Sequence, residues 1–289
     1  LFQANQLTQI LIDEFFKDNK WIQSNIFYSK LFTGIVISAI VSLVIFGGIK
    51  RIGAVASKLV PSMVIIYLLC GFNIILSNIF SIGDIVILVI KDAFTGHAVL
   101  GGSVGAVIIT GIRRAAFSNE AGIGTESMAH GAAITKEPIR EGLVAMIGPF
   151  IDTIIVCTIT GFSILLTGVW TDNSLNGISM TAKAFNTAMP VIGEPVLILI
   201  VFIFSITTMI GYSYYGSKCT AFLFGNKSKF YYRIFYIISL IVASIISLDI
   251  VINFVDGMFA LMAFPTMIST IILAPKVMEE AKIYFSKIK

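Results

Sequence analysis

Charged residues are scarce in this sequence, and their scarcity indicates the class of protein. Only 12% of the 289 residues are charged, whereas 57% are hydrophobic; a soluble domain has about 25% and roughly 45–50%. A soluble globule of this size does not hide so much apolar surface. A membrane-spanning helix needs about 20 mostly apolar residues, so the chain has room for about seven or eight crossings with their loops. We therefore predict an all-α polytopic membrane protein in a lipid bilayer.

Cysteine and histidine are also rare, which excludes several kinds of site. The three cysteines lie far apart in apolar segments, so they form neither a disulfide framework nor a zinc-binding spacing. The two histidines, His97 and His130, have no nearby cluster of cysteines or carboxylates, so no catalytic metal site is predicted. The net charge of +4 is not gathered on one stripe or tail, and nucleic acid is not an expected partner.

Apolar segments along the chain predict where it crosses the membrane. The segment Leu1–Phe16 would be only about 24 Å long as a helix, so we interpret it as the second half of a span. The region Gly96–Ala133 is rich in glycine and interrupted by charges, and we predict that it crosses once. We expect a single transmembrane domain over residues 1–289 that lacks its N-terminal helices. The six clearer spans are Leu31–Gly48, Leu59–Ile79, Leu143–Val169, Pro195–Tyr215, Ile234–Leu248 and Val251–Ala274.

The positions of Lys and Arg predict the orientation, because these residues accumulate in cytoplasmic loops. One side of the membrane receives Lys50, Arg51, Lys58, Lys136, Arg140, Lys218, Lys227, Lys229, Arg233, Lys276, Lys282, Lys287 and Lys289. The other side receives only Lys17, Lys20, Lys30, Lys91 and Lys183. We therefore place the C-terminus in the cytoplasm and the loops Asp13–Lys30, Ser81–His97 and Thr171–Glu194 outside.

The segment Gly111–Ala133 combines charged side chains with glycines at membrane depth. Gly122 and Gly124 allow a helix to unwind, and unwound backbone in a membrane is tolerated only where it lines a cavity or is buried in protein. Secondary transporters build their substrate sites from discontinuous helices of this kind, so the pattern favours transport. A cytoplasmic loop, with close helix packing at Gly101–Gly105, remains the alternative.

Several polar residues in and near this region are expected to contact other helices rather than the substrate. Charged groups inside a membrane usually pair with one another, so we expect Glu120 to form an ion pair with Arg113 or Arg114. Asp152 and Thr153 are expected to face a neighbouring helix.

The residues Arg114-Ala-Ala-Phe-Ser-Asn-Glu-Ala-Gly-Ile-Gly resemble the signature of the alanine or glycine:cation symporter family, sodium-coupled carriers of small amino acids in prokaryotic plasma membranes. Further matches lie at Gln3–Asn5, Arg140–Thr153, Thr167–Trp170 and Gly211–Gly216. The resemblance implies a leucine-transporter-like fold of two inverted five-helix repeats. The region 96–133 would be the discontinuous sixth helix, and the first broken helix would precede residue 1.

The resemblance also implies roles for residues around the interruption. Phe117 would close the substrate pocket. Ser118, Asn119, Gly122 and Gly124 would lie in the unwound stretch whose backbone binds the substrate.

A second group of implied site residues lies elsewhere in the chain. Gln3, on what would be the third helix, resembles the family's amide contact to the substrate, although hydrogen bonding between helices remains open for Gln3 and Asn5. On what would be the eighth helix, Thr208 and Tyr212 match pocket positions. The hydroxyls of Thr207 and Thr208 are candidate ligands for Na⁺, a hard cation that prefers oxygen.

The expected function is sodium-coupled symport of small neutral amino acids, alanine or glycine, by alternating access, with Na⁺ as the co-transported ion. Many family members have Trp at the position of Tyr212 and Gly at that of Ala115, so another amino acid or coupling to H⁺ remains open. An inactive truncated fragment is a further alternative. An intramembrane enzyme that uses Glu120 or His130 would need a positioned acid–base partner, and the sequence shows none.

Overall fold

The computed structural model describes residues 1–94, 104–120, 122–175 and 177–287, and these ranges contain helices and no strand. The α-helices are α1 Phe2–Ile10, α2 Lys20–Ser24, α3 Ile26–Ile45, α4 Gly48–Ser77, α5 Ile82–Phe94, α6 Val104–Asn119, α7 Thr125–His130, α8 Pro138–Pro149, α9 Thr158–Leu166, α10 Ile178–Ala188, α11 Gly193–Phe224, α12 Ser228–Ile245 and α13 Leu248–Ser286. Two π-helical segments, Leu11–Phe15 and Phe150–Cys157, continue α1 and join α8 to α9.

Local sequence explains where several helices begin and end. The side chain of Asn19 accepts hydrogen bonds from the first backbone N–H groups of α2, as capping residues do. Proline occupies the first position of α8 at Pro138, where its missing N–H costs nothing. Gly225 ends α11 with φ +81°, a conformation that favours glycine.

Six helical stretches in the described ranges are long and apolar enough to cross a membrane, which confirms a polytopic helical protein. They are Ile26–Ile45, Arg51–Ser77, Pro138–Leu166, Gly193–Phe224, Ser228–Ile245 and Leu248–Ser286, and each overlaps one of the six clearer predicted spans. The segment predicted as half a span is helical from Phe2 to Phe15, but it is not one of the six. The predicted crossing at 96–133 falls partly outside the described residues, so a total of seven or eight stays a prediction.

The chain divides into two compact units. The first unit contains Leu1–Ile87 and Ile159–Asn253. In it α12 packs along α3, α11 packs against α4 and α12, and α1 contacts α11 and α12. A Cβ on Gly34 of α3 would lie 2.9 Å from the Ser244 Cβ of α12. Small residues therefore let these two helices approach closely, as is typical of helix pairs in membranes.

The second unit contains Leu88–Thr158 and Phe254–Lys289. Within it α6 packs against the π-helical segment Phe150–Cys157, and α7 packs against α8. Few side chains in its spans are buried, and large apolar residues such as Leu261, Phe264 and Ile271 are exposed on α13. Such surfaces suit contact with lipid tails or with further protein.

Candidate substrate and cation site

The helix predicted to break near Gly122 is interrupted in the structure. The helix α6 ends at Asn119 and α7 begins at Thr125. Between them Glu120, Gly122 and Gly124 have φ values of +57°, +83° and +91°. Glycine adopts this left-handed region without a steric penalty, whereas a side chain such as that of Glu120 adopts it at a cost. The chain therefore cannot continue as one α-helix through this stretch.

Thr266 of α13 lies close to the second of these glycines. A Cβ on Gly124 would lie 2.8 Å from the Thr266 hydroxyl oxygen, which already donates to the carbonyl of Met262 at 2.9 Å. A Cβ on Gly122 would meet no atom within 4 Å. Both glycines have a left-handed backbone conformation, but only at Gly124 does a neighbouring side chain also leave too little room for a Cβ atom.

Side chains at the end of α6 are held by the π-helical segment of the next span. The Ser118 hydroxyl donates to a carboxylate oxygen of Asp152 at 2.5 Å, and the Asn119 amide donates to the Thr153 hydroxyl at 2.7 Å. Asp152 and Thr153 thus face a neighbouring helix, as the sequence predicted. π-Helical turns occur frequently at functional sites, and here one brings two consecutive polar residues to the edge of the interruption.

A hydrogen bond also connects the two sides of the interruption. The Thr125 hydroxyl, at the start of α7, donates to a carboxylate oxygen of Glu120 at 2.6 Å. Farther along, His130 Nδ1 lies 2.7 Å from a carboxylate oxygen of Glu141 on α8. His130 therefore contacts the neighbouring α8.

The expected ion pair of Glu120 with Arg113 or Arg114 is wrong for Arg114. The guanidinium of Arg114 instead pairs with the carboxylate of Asp256 on α13, at 2.8 Å. Glu120 lies beyond the end of α6 with φ +57°, and its carboxylate accepts a hydrogen bond from Thr125. Asp256 is a lone carboxylate in an apolar span, and this signal alone marks it as a partner for an intramembrane cation.

Phe117, like Arg114, contacts α13. Its ring centroid lies 5.4 Å from that of Phe259 on α13, with the planes tilted by 36°. The side chain is half-buried. Whether it closes a substrate pocket, as the resemblance implies, stays a prediction.

The remaining predicted site residues lie in the first unit, on α1 and α11. The Ser205 hydroxyl donates to the amide oxygen of Gln3 at 3.3 Å, so Gln3 contacts α11. Ser205, Thr208 and Tyr212 are spaced three and four residues apart and share one face of α11. The sequence interpretation missed Ser205, which this spacing could have found.

Thr207 points in a different direction from Thr208. It is buried, and its hydroxyl donates to the carbonyls of Ile203 and Phe204 at 2.8 and 3.0 Å. Its oxygen keeps lone pairs for a cation such as Na⁺. The half-buried Thr208 is next to it on the helix, about 100° around the axis.

The predicted site residues thus form two groups, one in each compact unit. Gln3 and the three residues of α11 belong to the first unit, and Phe117 to Gly124 belong to the second. Asn5 is not part of either group: its buried amide donates to the carbonyls of Ala243 and Ile246 at 3.0 and 2.8 Å. Asn5 therefore makes the interhelical bond that the sequence left open.

Comparison with known proteins agrees with these observations. The family model of the sodium:alanine symporter family matches residues 1–289. The chain is 38% identical over 268 residues to the sodium/alanine symporter AgcS of Methanococcus maripaludis, and 39% identical over 264 residues to an uncharacterised transporter of Haemophilus influenzae. These alignments cover 91% and 90% of this chain but 58% of each relative.

A more distant relative carries a different substrate in its name. The chain is 31% identical over 259 residues to the probable sodium/glutamine symporter GlnT of Bacillus subtilis, with 89% of this chain and 54% of the relative covered. The chain spans a little over half the length of the curated relatives that it matches.

Proposed function

The chain belongs to the sodium:alanine symporter family, and on this premise we propose that it acts in the sodium-coupled transport of a small neutral amino acid, alanine or glycine, by alternating access. The observation that carries the proposal is the interruption between Asn119 and Thr125, which separates the helices α6 and α7. In secondary transporters such interruptions provide the backbone groups that bind substrate and ion. The proposed fold is the leucine-transporter-like inverted repeat, with this region as its sixth helix.

The interrupted stretch supplies groups of both signs for a zwitterionic amino acid. The last carbonyls of a helix lack intrahelical partners and carry the negative end of the helix dipole, so the end of α6 favours the ammonium group or Na⁺. Backbone N–H groups around Gly122 and Gly124 are the proposed donors to the substrate carboxylate. Ser118 and Asn119 are positioned by Asp152 and Thr153, which fix the end of α6.

The residues of the first unit have proposed roles of their own. The Gln3 amide is a proposed contact to the substrate, and the hydroxyl of Ser205 orients it. The hydroxyls of Thr207 and Thr208 are proposed ligands of the transported Na⁺, since hard cations prefer oxygen. In the first unit, Tyr212 is a proposed contact to the substrate side chain. In the second unit, Phe117 keeps the pocket-closing role that the resemblance implies.

Uptake of labelled alanine tests the function. The full reading frame that encodes the chain is expressed, purified and reconstituted into liposomes, and an inward Na⁺ gradient is imposed. We expect accumulation that disappears when choline replaces Na⁺. Uptake that is unchanged without Na⁺ would refute sodium coupling, and no uptake of any small amino acid would refute the transport proposal.

Substitutions at the interruption test the site. Ser118→Ala removes the hydrogen bond to Asp152 and Asn119→Ala removes the one to Thr153. We expect kcat/KM for alanine to fall about tenfold or more in each variant. Ser269→Ala is the matched control, because that exposed hydroxyl only donates to the carbonyl of Pro265 on its own helix. Well-folded variants that transport as well as Ser269→Ala would exclude Ser118 and Asn119 from the site.

A matched pair of threonine variants tests the proposed sodium site. Thr208→Ala should raise the Na⁺ concentration needed for half-maximal uptake, while Thr270→Ala, an exposed threonine on α13, should leave it unchanged. An unchanged Na⁺ dependence in Thr208→Ala would remove Thr208 from the proposed cation site.

Tyr212 favours a second candidate, a carrier of another amino acid or one coupled to H⁺. Many family members have Trp at this position, and relatives of the chain are named for glutamine and for sodium/proton-dependent alanine transport. A competition panel of unlabelled amino acids, with and without a pH gradient, distinguishes the candidates. Strong competition by glutamine but not by glycine would favour the larger substrate.

A further inference from the structure

A small cavity in the first compact unit is lined by three basic side chains. Its volume is about 160 Å³, and it lies among α3, α4, α11 and α12. Lys218 of α11 and Lys229 and Arg233 of α12 contribute the positive charges. Lys229 and Arg233 are four residues apart, so they project from the same face of α12.

The positive charges of this cavity have no counter-charge on the helices that line it. The sequence contains no Asp or Glu from residue 19 to 83 or from residue 195 to 248, which includes all of α3, α4 and α12. The remaining helix, α11, has one carboxylate, Glu194, at its opposite end and paired with Lys17. At 1.5 Å per residue, the helical rise from Glu194 to Lys218 is about 36 Å.

Arg233 has a buried donor that needs an acceptor. Its Nε atom is buried, and among the residues that the structure describes it has no hydrogen-bond partner. A buried N–H group without an acceptor is costly, and more so when it belongs to a charged side chain. Lys218 is satisfied in part by the face of the Tyr214 ring, 5.3 Å away. An anion in the cavity would neutralise the cluster and offer acceptors to the guanidinium group of Arg233.

The volume and the chemistry fit a phosphate group. A cavity of roughly 150 Å³ is known to admit a six-atom ring such as benzene, so the five heavy atoms of a phosphate fit in about 160 Å³. Guanidinium and ammonium groups form short, charge-assisted hydrogen bonds with phosphate oxygens. Basic pockets between membrane helices bind anionic lipid headgroups, and the basic-residue distribution predicts that this end of the helices faces the cytoplasm.

We propose that the cavity lined by Lys218, Lys229 and Arg233 is a binding site for a phosphate group, carried by an anionic phospholipid or free in solution. The site lies on the intracellular side of the predicted topology and is separate from the residues proposed to bind amino acid and Na⁺. It does not depend on the proposed transport function, because its test needs no transport. An occupied site would tie α11 to α12 through a shared anion.

The test measures binding and thermal stability in lipid nanodiscs, with protein expressed from the same full reading frame. One arm compares phosphatidylcholine with mixed phosphatidylcholine and phosphatidylglycerol, in a buffer without phosphate. The other arm adds inorganic phosphate to pure phosphatidylcholine nanodiscs. We expect a higher unfolding temperature in at least one arm, and an affinity for the anion about tenfold weaker in Arg233→Gln. Stabilisation by phosphatidylglycerol alone assigns a lipid headgroup, and stabilisation by inorganic phosphate assigns a free ion.

Lys227→Gln is the matched control, because it removes the same charge from an exposed residue beside the cavity-lining Lys229. It should keep the full response. If Arg233→Gln does not yield folded protein, Lys229→Gln carries the same test. No stabilisation in either arm, or an equal response in Arg233→Gln and Lys227→Gln, would overturn the proposal.

Discussion

Alanine in place of Gly124 should destabilise the chain more than alanine in place of Gly122, although both glycines have positive φ. A left-handed conformation costs a residue with a Cβ about 1–2 kcal/mol, and this is the whole expected cost at Gly122, where the Cβ meets open space. At Gly124 the Cβ would lie 2.8 Å from the Thr266 hydroxyl oxygen. Thr266 can move away only by breaking its bond to the Met262 carbonyl, worth about 0.5–1.5 kcal/mol.

The total for Gly124→Ala is therefore about 1.5–3.5 kcal/mol. Unfolding in detergent micelles by titration with sodium dodecyl sulfate measures the free energy for each variant. In a Thr266→Ala background the hydroxyl is gone, and the additional cost of Gly124→Ala should fall to about 1–2 kcal/mol, equal to that of Gly122→Ala. Equal costs for the two glycines in the parent chain, or no rescue by Thr266→Ala, would refute the reasoning.

Three further predictions concern the first compact unit. Asn5→Ala should lower the free energy of unfolding by about 1–3 kcal/mol in the same titration, because it leaves one buried and one part-buried carbonyl at the end of α12 without their donor; no loss would mean that water replaces the amide. Gly216→Ala should cost about 1–3 kcal/mol, since its Cβ would lie 1.8 Å from the Tyr232 hydroxyl oxygen, and Tyr232→Phe should relieve only part of it. The hydrogen bond from Lys17 to Glu194 raises the pKa of Lys17, and this exposed pair stabilises the fold by at most about 1 kcal/mol. That stabilisation is fully present below the usual lysine pKa and is lost as the pH rises through the raised pKa of Lys17. A Lys17→Met variant with unchanged stability at pH 7 but lower stability at pH 11 would contradict this sign.

The membrane spans were predictable because they depend on composition alone. A run of about 20 apolar residues is more stable in lipid than in water. Each of the six clearer segments overlaps a helix that is long and apolar enough to cross a membrane. The interruption was predictable for a similar reason, since Gly122 and Gly124 sit among charged residues at membrane depth. Boundaries were less accurate: α3 begins at Ile26, five residues before the predicted start at Leu31.

The partners of the polar residues were harder to predict, because they depend on which helices pack together. Arg114 has carboxylates nearby in sequence, yet its partner Asp256 is 142 residues away. The pairing of Ser118 with Asp152 depends on the π-helical segment Phe150–Cys157. No local sequence pattern predicts that this segment is π-helical. Ser205 escaped notice because a serine in an apolar helix usually bonds to its own backbone.

The hydrogen bonds of Asn5 have a consequence for how the chain is assembled during synthesis. The amide and the carbonyl of Ala243 that it binds are separated by 238 residues, so α1 leaves the ribosome long before α12 exists. Until then the Asn5 amide, which is buried in the folded chain, lacks both of its acceptors on this helix. The packing of α1 is therefore completed late in synthesis, after α12 has been made.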